Sequence, residues 1–121
     1  MSFFYVFLGG GLGSVARFGL SKAFTVTSFP FGTFMANILA CLILGLLMGY
    51  HAESILKDQQ KLLLATGFCG GFSTFSTYVA ELFDMYQEGQ MGLFAFYFLS
   101  SMIVGLVAIG LGLFLSKSLM T

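Results

Sequence analysis

Four long apolar stretches, at roughly 3–24, 31–50, 62–85 and 92–115, occupy most of this chain and limit what it can fold into. A helix needs about 20 consecutive apolar residues to cross a bilayer, and each stretch supplies that length. The segments between them are short. "TVTSFP" separates the first two, with Pro30 just ahead of the second, where a helix start tolerates proline. "HAESILKDQQK" holds four of the ten charges and has room for an interfacial helical turn; "QEGQMG" joins the last two. Of 121 residues, 58% are hydrophobic and 8% charged, against about 25% charged in ordinary soluble domains. So much apolar surface cannot be hidden inside a soluble fold of this size, so lipid is the solvent. The expectation is an all-α integral membrane protein, residues 1–121 forming one four-helix domain.

The same counts exclude several function classes. Formal net charge is zero, with no basic run to attract nucleic acid and no acidic tail. The start, "MSFFYVFLGGGLG", lacks a basic leader, so no cleaved signal peptide is expected. Cys41 and Cys69 stand apart in apolar runs without zinc or redox spacing and read as small buried hydrophobes. His51 sits alone at the end of a span. No Ser/His/Asp constellation, metal cluster or nucleotide loop suggests an enzyme.

Charge sets topology only weakly. Four spans put both termini and the 51–61 loop on one side with Lys57, Lys61 and Lys117, and leave Arg17 and Lys22 on the other. Three against two is too even for the positive-inside rule. Either one orientation prevails on a slight bias, or the chain inserts both ways and inverted copies can pair.

Polar groups inside the spans carry the functional question. In the second span Thr33, Asn37, Cys41, Gly45 and Gly49 recur every four residues along one helix face. The small members favour close helix packing. Asn37 needs a partner in hydrocarbon: it either bonds across to another helix or offers its two N–H donors to something passing. In the first span Gly9 and Gly13 suit close packing, and Arg17 either snorkels or faces a wet vestibule where it concentrates anions. The third span holds "GFCGGFSTFSTYVAEL", residues 67–82. Gly70 and Gly71 weaken the helix there, and Ser73, Thr74, Ser76 and Thr77 offer hydroxyls that compete with its backbone bonds. Irregular backbone at this depth is tolerated beside protein or a water-filled cavity, and its freed carbonyls can hold a small cation. Phe75 and Tyr78, three apart, share a face that Glu81 continues. Their role is either packing or presentation of positive ring edges to an anion. Tyr97, Ser100, Ser101 and Gly105 mark the last span.

"GGGLGSVARF", "GTFMAN" and "GFCGGFSTFSTYVAE", in this order, resemble the signatures of the Fluc (CrcB-type) fluoride channels, and the resemblance covers essentially the whole chain. It implies a fluoride-selective channel of the bacterial plasma or inner membrane, exporting fluoride passively from the cytoplasm to reduce its toxicity. It implies an antiparallel, dual-topology homodimer whose third helices are broken near Gly70–Ser73. A structural sodium ion (Na+) at the dimer centre would be held by the backbone carbonyls of Gly70 and Ser73. The fluoride pathway would use Asn37, the aromatic pair Phe75 and Tyr78, the hydroxyls of Ser101 and Thr77, and Arg17 at the vestibule. Two positions depart from the family pattern: Tyr78 stands where Phe is usual, and Gly105 where a pore serine is expected. Such a pore replaces fluoride's water with neutral donors and still lets the ion leave.

Two other classes remain to be distinguished. A small multidrug-type proton-coupled exporter has similar length but needs an intramembrane carboxylate. Here only Glu81 and Asp84 fall within a span, near its end. A non-transporting membrane assembly protein would use the small-residue stripes and leave Asn37 and the 70–78 stretch without a purpose.

Overall fold

The computed structural model describes residues 1–24 and 29–120, so Thr25–Ser28 of the first turn lie outside the described residues. The order of elements is α1 (Ser2–Ala23), α2 (Phe31–Ala52), α3 (Asp58–Lys61), a π-helical stretch (Leu62–Cys69), α4 (Gly70–Phe72), α5 (Phe75–Gln87) and α6 (Met91–Met120). The third span runs from Asp58 to Gln87 and gathers α3, the π-helical stretch, α4 and α5. Each of the four spans is at least 22 residues long. At about 1.5 Å per residue this exceeds the roughly 30 Å hydrocarbon core of a bilayer. The protein is a multi-pass membrane protein with four apolar helical spans.

Local chemistry sets the boundaries. Pro30 directly precedes α2. The polar 51–61 loop ends in the single turn α3, whose start is closed by the Gln60 side chain accepting the Lys57 N–H at 2.9 Å. Gly89, at φ +74°, ends the third span in the left-handed conformation that glycine adopts without steric cost. This lets Gln90 N–H bond back to the Met85 carbonyl at 2.9 Å.

Two helix pairs make up the bundle: α1 with the third span, and α2 with α6. Both meet through glycine. A Cβ on Gly13 would lie 2.7 Å from the Phe72 nitrogen and also strike the Phe68 carbonyl. A Cβ on Gly112 would strike the Leu42 carbonyl of α2. Main chain therefore packs on main chain at both seams, which hydrogen placed at these positions permits and any side chain forbids. Gly49 instead makes room for a side chain, that of Ser116, which is fully buried and bonds its own helix at the Leu113 carbonyl. The side-chain core is small and falls into two clusters: Tyr78, Leu82, Met85 and Tyr97 with Phe29 and Phe34 around them, and Ala36, Ala40 and Phe72 with Leu20, Leu39 and Phe68 against them. Large apolar side chains such as Phe3, Phe7 and Leu106 point outward, as a lipid solvent requires.

Candidate functional site

The third span changes character at Ser73 and Thr74. Helical geometry stops after Phe72 and resumes at Phe75; between them Ser73 (φ −81°, ψ 158°) and Thr74 (φ −149°, ψ 121°) are extended. Gly70 and Gly71 themselves are helical, so the irregular residues are the two hydroxyl-bearing ones that follow. Gly71 instead serves packing, its absent Cβ leaving room for the Gly10 carbonyl of α1.

Several backbone groups near this point find specific partners. Thr74 N–H donates to Asn37 Oδ1 at 2.8 Å, and Asn37 Nδ2 donates to the Thr74 carbonyl at 3.3 Å. The α2 amide thus pairs with the main chain of a single residue, as a neighbouring strand would. One of its two N–H donors is consumed in doing so. Arg17 Nε donates to the Gly71 carbonyl at 3.2 Å. In a continuous helix that carbonyl would accept from Phe75, beyond the interruption, so Arg17 replaces the lost donor and brings positive charge to a helix C-terminus. Ser73 donates both its N–H (3.0 Å) and its hydroxyl (2.8 Å) to the Cys69 carbonyl. The donor that Gly70's carbonyl would receive in a continuous helix, Thr74 N–H, is the one Asn37 takes. On the other side, Thr74 Oγ1 accepts Thr77 N–H at 3.3 Å and caps α5.

A recess of about 350 Å³ opens beside this arrangement, lined by Asn37, Ser73, Thr74, Phe75, Tyr78 and Ser101 among others. It collects four of the six residues that the resemblance implies for the fluoride pathway, Asn37, Phe75, Tyr78 and Ser101, together with Ser73. The Ser101 hydroxyl is buried and lacks a hydrogen-bond partner, so its donor is free. Phe75 is 79% exposed and carries its ring at the edge of the recess, whereas Tyr78 is 8% exposed. The Tyr78 hydroxyl donates to the Phe98 carbonyl at 3.2 Å, and its ring meets Tyr97 edge-on at 5.0 Å. The two aromatics thus border one recess in different settings: Phe75 stands free and Tyr78 belongs to the core. Thr77 is exposed and Arg17 lies at the end of α4; neither is among the residues lining the recess.

One cluster was not anticipated from the sequence. Glu81 accepts from the Thr33 hydroxyl at 2.8 Å and from the Tyr97 hydroxyl at 2.9 Å. Thr33 lies one turn before Asn37 on α2, and Tyr97 one turn before Ser101 on α6. The two polar faces therefore run side by side, and Glu81 bridges them one turn beyond Tyr78. The signal was present in these i, i+4 spacings, but the spacings do not say which helices meet.

The donor set bears on metals as well. Among the described residues no three His, Cys, Asp or Glu side chains come together to hold one. What the third span offers is main-chain oxygen at Gly70, which is exposed and has nothing within 4 Å of the place a Cβ would occupy. Such neutral oxygens suit a hard cation.

Residues 4–113 match the family model described as "CrcB-like protein, Camphor Resistance (CrcB)". Several relatives extend over nearly the whole chain. A Flavobacterium psychrophilum protein is 40% identical over 121 residues, covering 96% of this chain and 97% of its own length. One from Methylobacillus flagellatus is 42% identical over 120 residues, covering 95% and 94%. One from Phocaeicola vulgatus is 35% identical over 119 residues, covering 96% and 98%. All three carry the name fluoride-specific ion channel FluC.

Proposed function

The chain belongs to the CrcB-like family, and on that premise we propose that it is a fluoride-selective channel that lets the ion leave the cytoplasm passively. The observation that carries this reading is the recess beside Ser73 and Thr74, with neutral donors at its wall and no fixed cation among its lining residues. Ser101 has a free hydroxyl there. Asn37 keeps one N–H beyond the one given to Thr74. Phe75 offers a ring edge, which is the positive part of an aromatic quadrupole. Neutral donors replace part of fluoride's hydration shell without the deep well that a lysine or arginine in the path would create.

The working unit in this reading is an antiparallel homodimer of chains inserted in both orientations. A structural Na+ lies between them on the carbonyls of Gly70 and Ser73. The support is the exposed backbone at Gly70, whose carbonyl has lost its helical donor to Asn37. When bound, the ion supplies positive charge that offsets carbonyl dipoles meeting at the centre. Asn37, Arg17 and the Ser73 hydroxyl fix the surrounding main chain before any ion arrives. A cysteine introduced in the 51–61 loop should react with a membrane-impermeant reagent from both sides of sealed vesicles. Reaction from one side alone removes dual insertion.

The reading as a whole is tested with the purified protein in liposomes. Fluoride should leave on its own gradient, with no proton gradient needed, and chloride should stay. Absence of fluoride-selective efflux ends the proposal. Efflux that requires a proton gradient transfers it to the exporter class.

A further inference from the structure

Cys41 and Cys69 come from different spans, and both line a second recess, of about 290 Å³, whose wall includes Ala40, Leu44, Gly70 and Ser73. Both thiols are free. Cys41 also lines the first recess, together with Asn37 and Ser101, so this one residue borders both spaces. It lies beside the α2–α6 seam: a Cβ at Gly105 would stand 3.6 Å from the Cys41 sulfur, at ordinary van der Waals distance. Polar groups in the second recess are few, and its walls are largely small and apolar.

We propose that Cys41 and Cys69 form a two-thiol site for a soft, thiophilic d10 cation, and that its occupation closes the neighbouring anion recess. The closure rests on the channel reading above; the binding does not. Soft ions select sulfur over the sparse oxygens nearby. The thiolate is the ligand form, so each divalent ion bound displaces two protons to water, one from each thiol. Two thiolates on a divalent ion leave no net charge, which favours the complex at membrane depth, where an uncompensated ion is costly. With Cys41 drawn towards Cys69 and a heavy ion attached, the wall shared with Asn37 and Ser101 is no longer free to accommodate a hydrated or partly hydrated anion.

The experiment uses purified protein with Hg2+ as the probe, washed with a monothiol and analysed for metal. One Hg2+ per chain should remain on the wild type, and none on Cys41→Ala or Cys69→Ala. In liposomes, fluoride efflux of the wild type should fall at least about tenfold with Hg2+ and recover on adding a dithiol, as expected when a constriction is blocked. Cys69→Ala, wherever it conducts, should resist the metal. Two ions per chain, with each variant keeping one, would mean independent capture by separate thiols and overturns the site; so does a wild type that retains none. Retention of one ion with unchanged efflux overturns the closure alone. Metal retention is read without fluoride, so failure of the channel reading cannot be mistaken for failure of the site.

Discussion

The two halves of the third span are built by different means. Leu62–Phe72 lies against α1 through bare main chain, with Gly9, Gly13, Gly67 and Gly71 allowing backbone atoms to meet. Phe75–Gln87 is held by side chains: Tyr78 and Tyr97 edge to face, Leu82 and Met85 in the core, and Glu81 bonded to two other helices. Glycine seams have no rotamers to adjust, so the first half is fixed in place and its cut end at Phe72 becomes a defined position. Side-chain packing leaves room for chemical variety, and the recess lies against the second half. Rigid placement and selective chemistry are thus divided between two segments joined by two extended residues.

This contrast can be broken most severely at its rigid side. Gly13→Leu places a branched side chain where a Cβ already meets the Phe72 nitrogen at 2.7 Å. Backbone cannot yield as a side-chain tip does, so the cost should exceed the usual roughly 1–3 kcal/mol of overpacking. The expected outcome is loss of the monodisperse species in detergent; a normal elution profile would show that the α1 seam is soft.

Asn37→Asp attacks the junction. The carboxylate can still accept Thr74 N–H, but it loses the bond to the Thr74 carbonyl and faces that oxygen with negative charge. A charge-assisted effect of about 3 kcal/mol corresponds to roughly a hundredfold lower fluoride efflux. Efflux equal to the wild type from a well-folded protein would make Asn37 a packing residue only.

On the chemical side, Phe75→Ile keeps apolar bulk on an exposed position and removes the ring edge. Folding should be untouched. An aromatic contact of about 1 kcal/mol predicts efflux down by several fold to about tenfold. Normal conduction would reject the ring-edge role.

Neighbouring glycines then test the division within four atoms of backbone. Gly70→Ala meets nothing within 4 Å, while a Cβ at Gly71 lies 3.0 Å from two backbone carbons of Gly10. In thermal unfolding, Gly71→Ala should destabilise the chain. Gly70→Ala should leave it unchanged or up to about 1 kcal/mol more stable through helix propensity. If the proposed dimer centre lies over Gly70, the same variant should weaken association while the fold persists. Equal effects at both positions would erase the distinction.

The smallest change expected is Tyr78→Phe. It loses one hydrogen bond to the Phe98 carbonyl, about 1 kcal/mol in stability, and keeps the ring packed on Tyr97. Selectivity should be retained and efflux similar or higher. Loss of conduction would show that this protein depends on the phenol.

The spans were legible because hydropathy and length are properties of the chain alone. Glycine at four-residue intervals also announced close packing at Gly9, Gly13, Gly45 and Gly49, and the neighbouring atoms agree: backbone at the first three, the Ser116 side chain at Gly49. Asn37 left a choice between bonding across and facing a passing ion; it does bond across, to main chain that has no sequence signature. Phe75 and Tyr78 were placed on one face by spacing, yet three residues turn a helix about 60° short of a full revolution. At the first turn of α5 that offset separates an exposed ring from a buried one. Glu81 stands near the end of its span in the sequence, and its two hydroxyl partners depend on which helices adjoin, which no local pattern encodes.

The pairing of Asn37 with Thr74 also has a history during synthesis. The partners are 37 residues apart, so at about 5–20 residues per second the ribosome needs roughly two to seven seconds to supply the second after the first. For that interval α2 carries an amide with no mate from the third span. Until the mate arrives, water or the insertion machinery must satisfy the group, and the second span has reason to delay its release into lipid. The bond that fixes the finished molecule is therefore also a timing constraint on its birth, binding the delivery of one helix to the arrival of another.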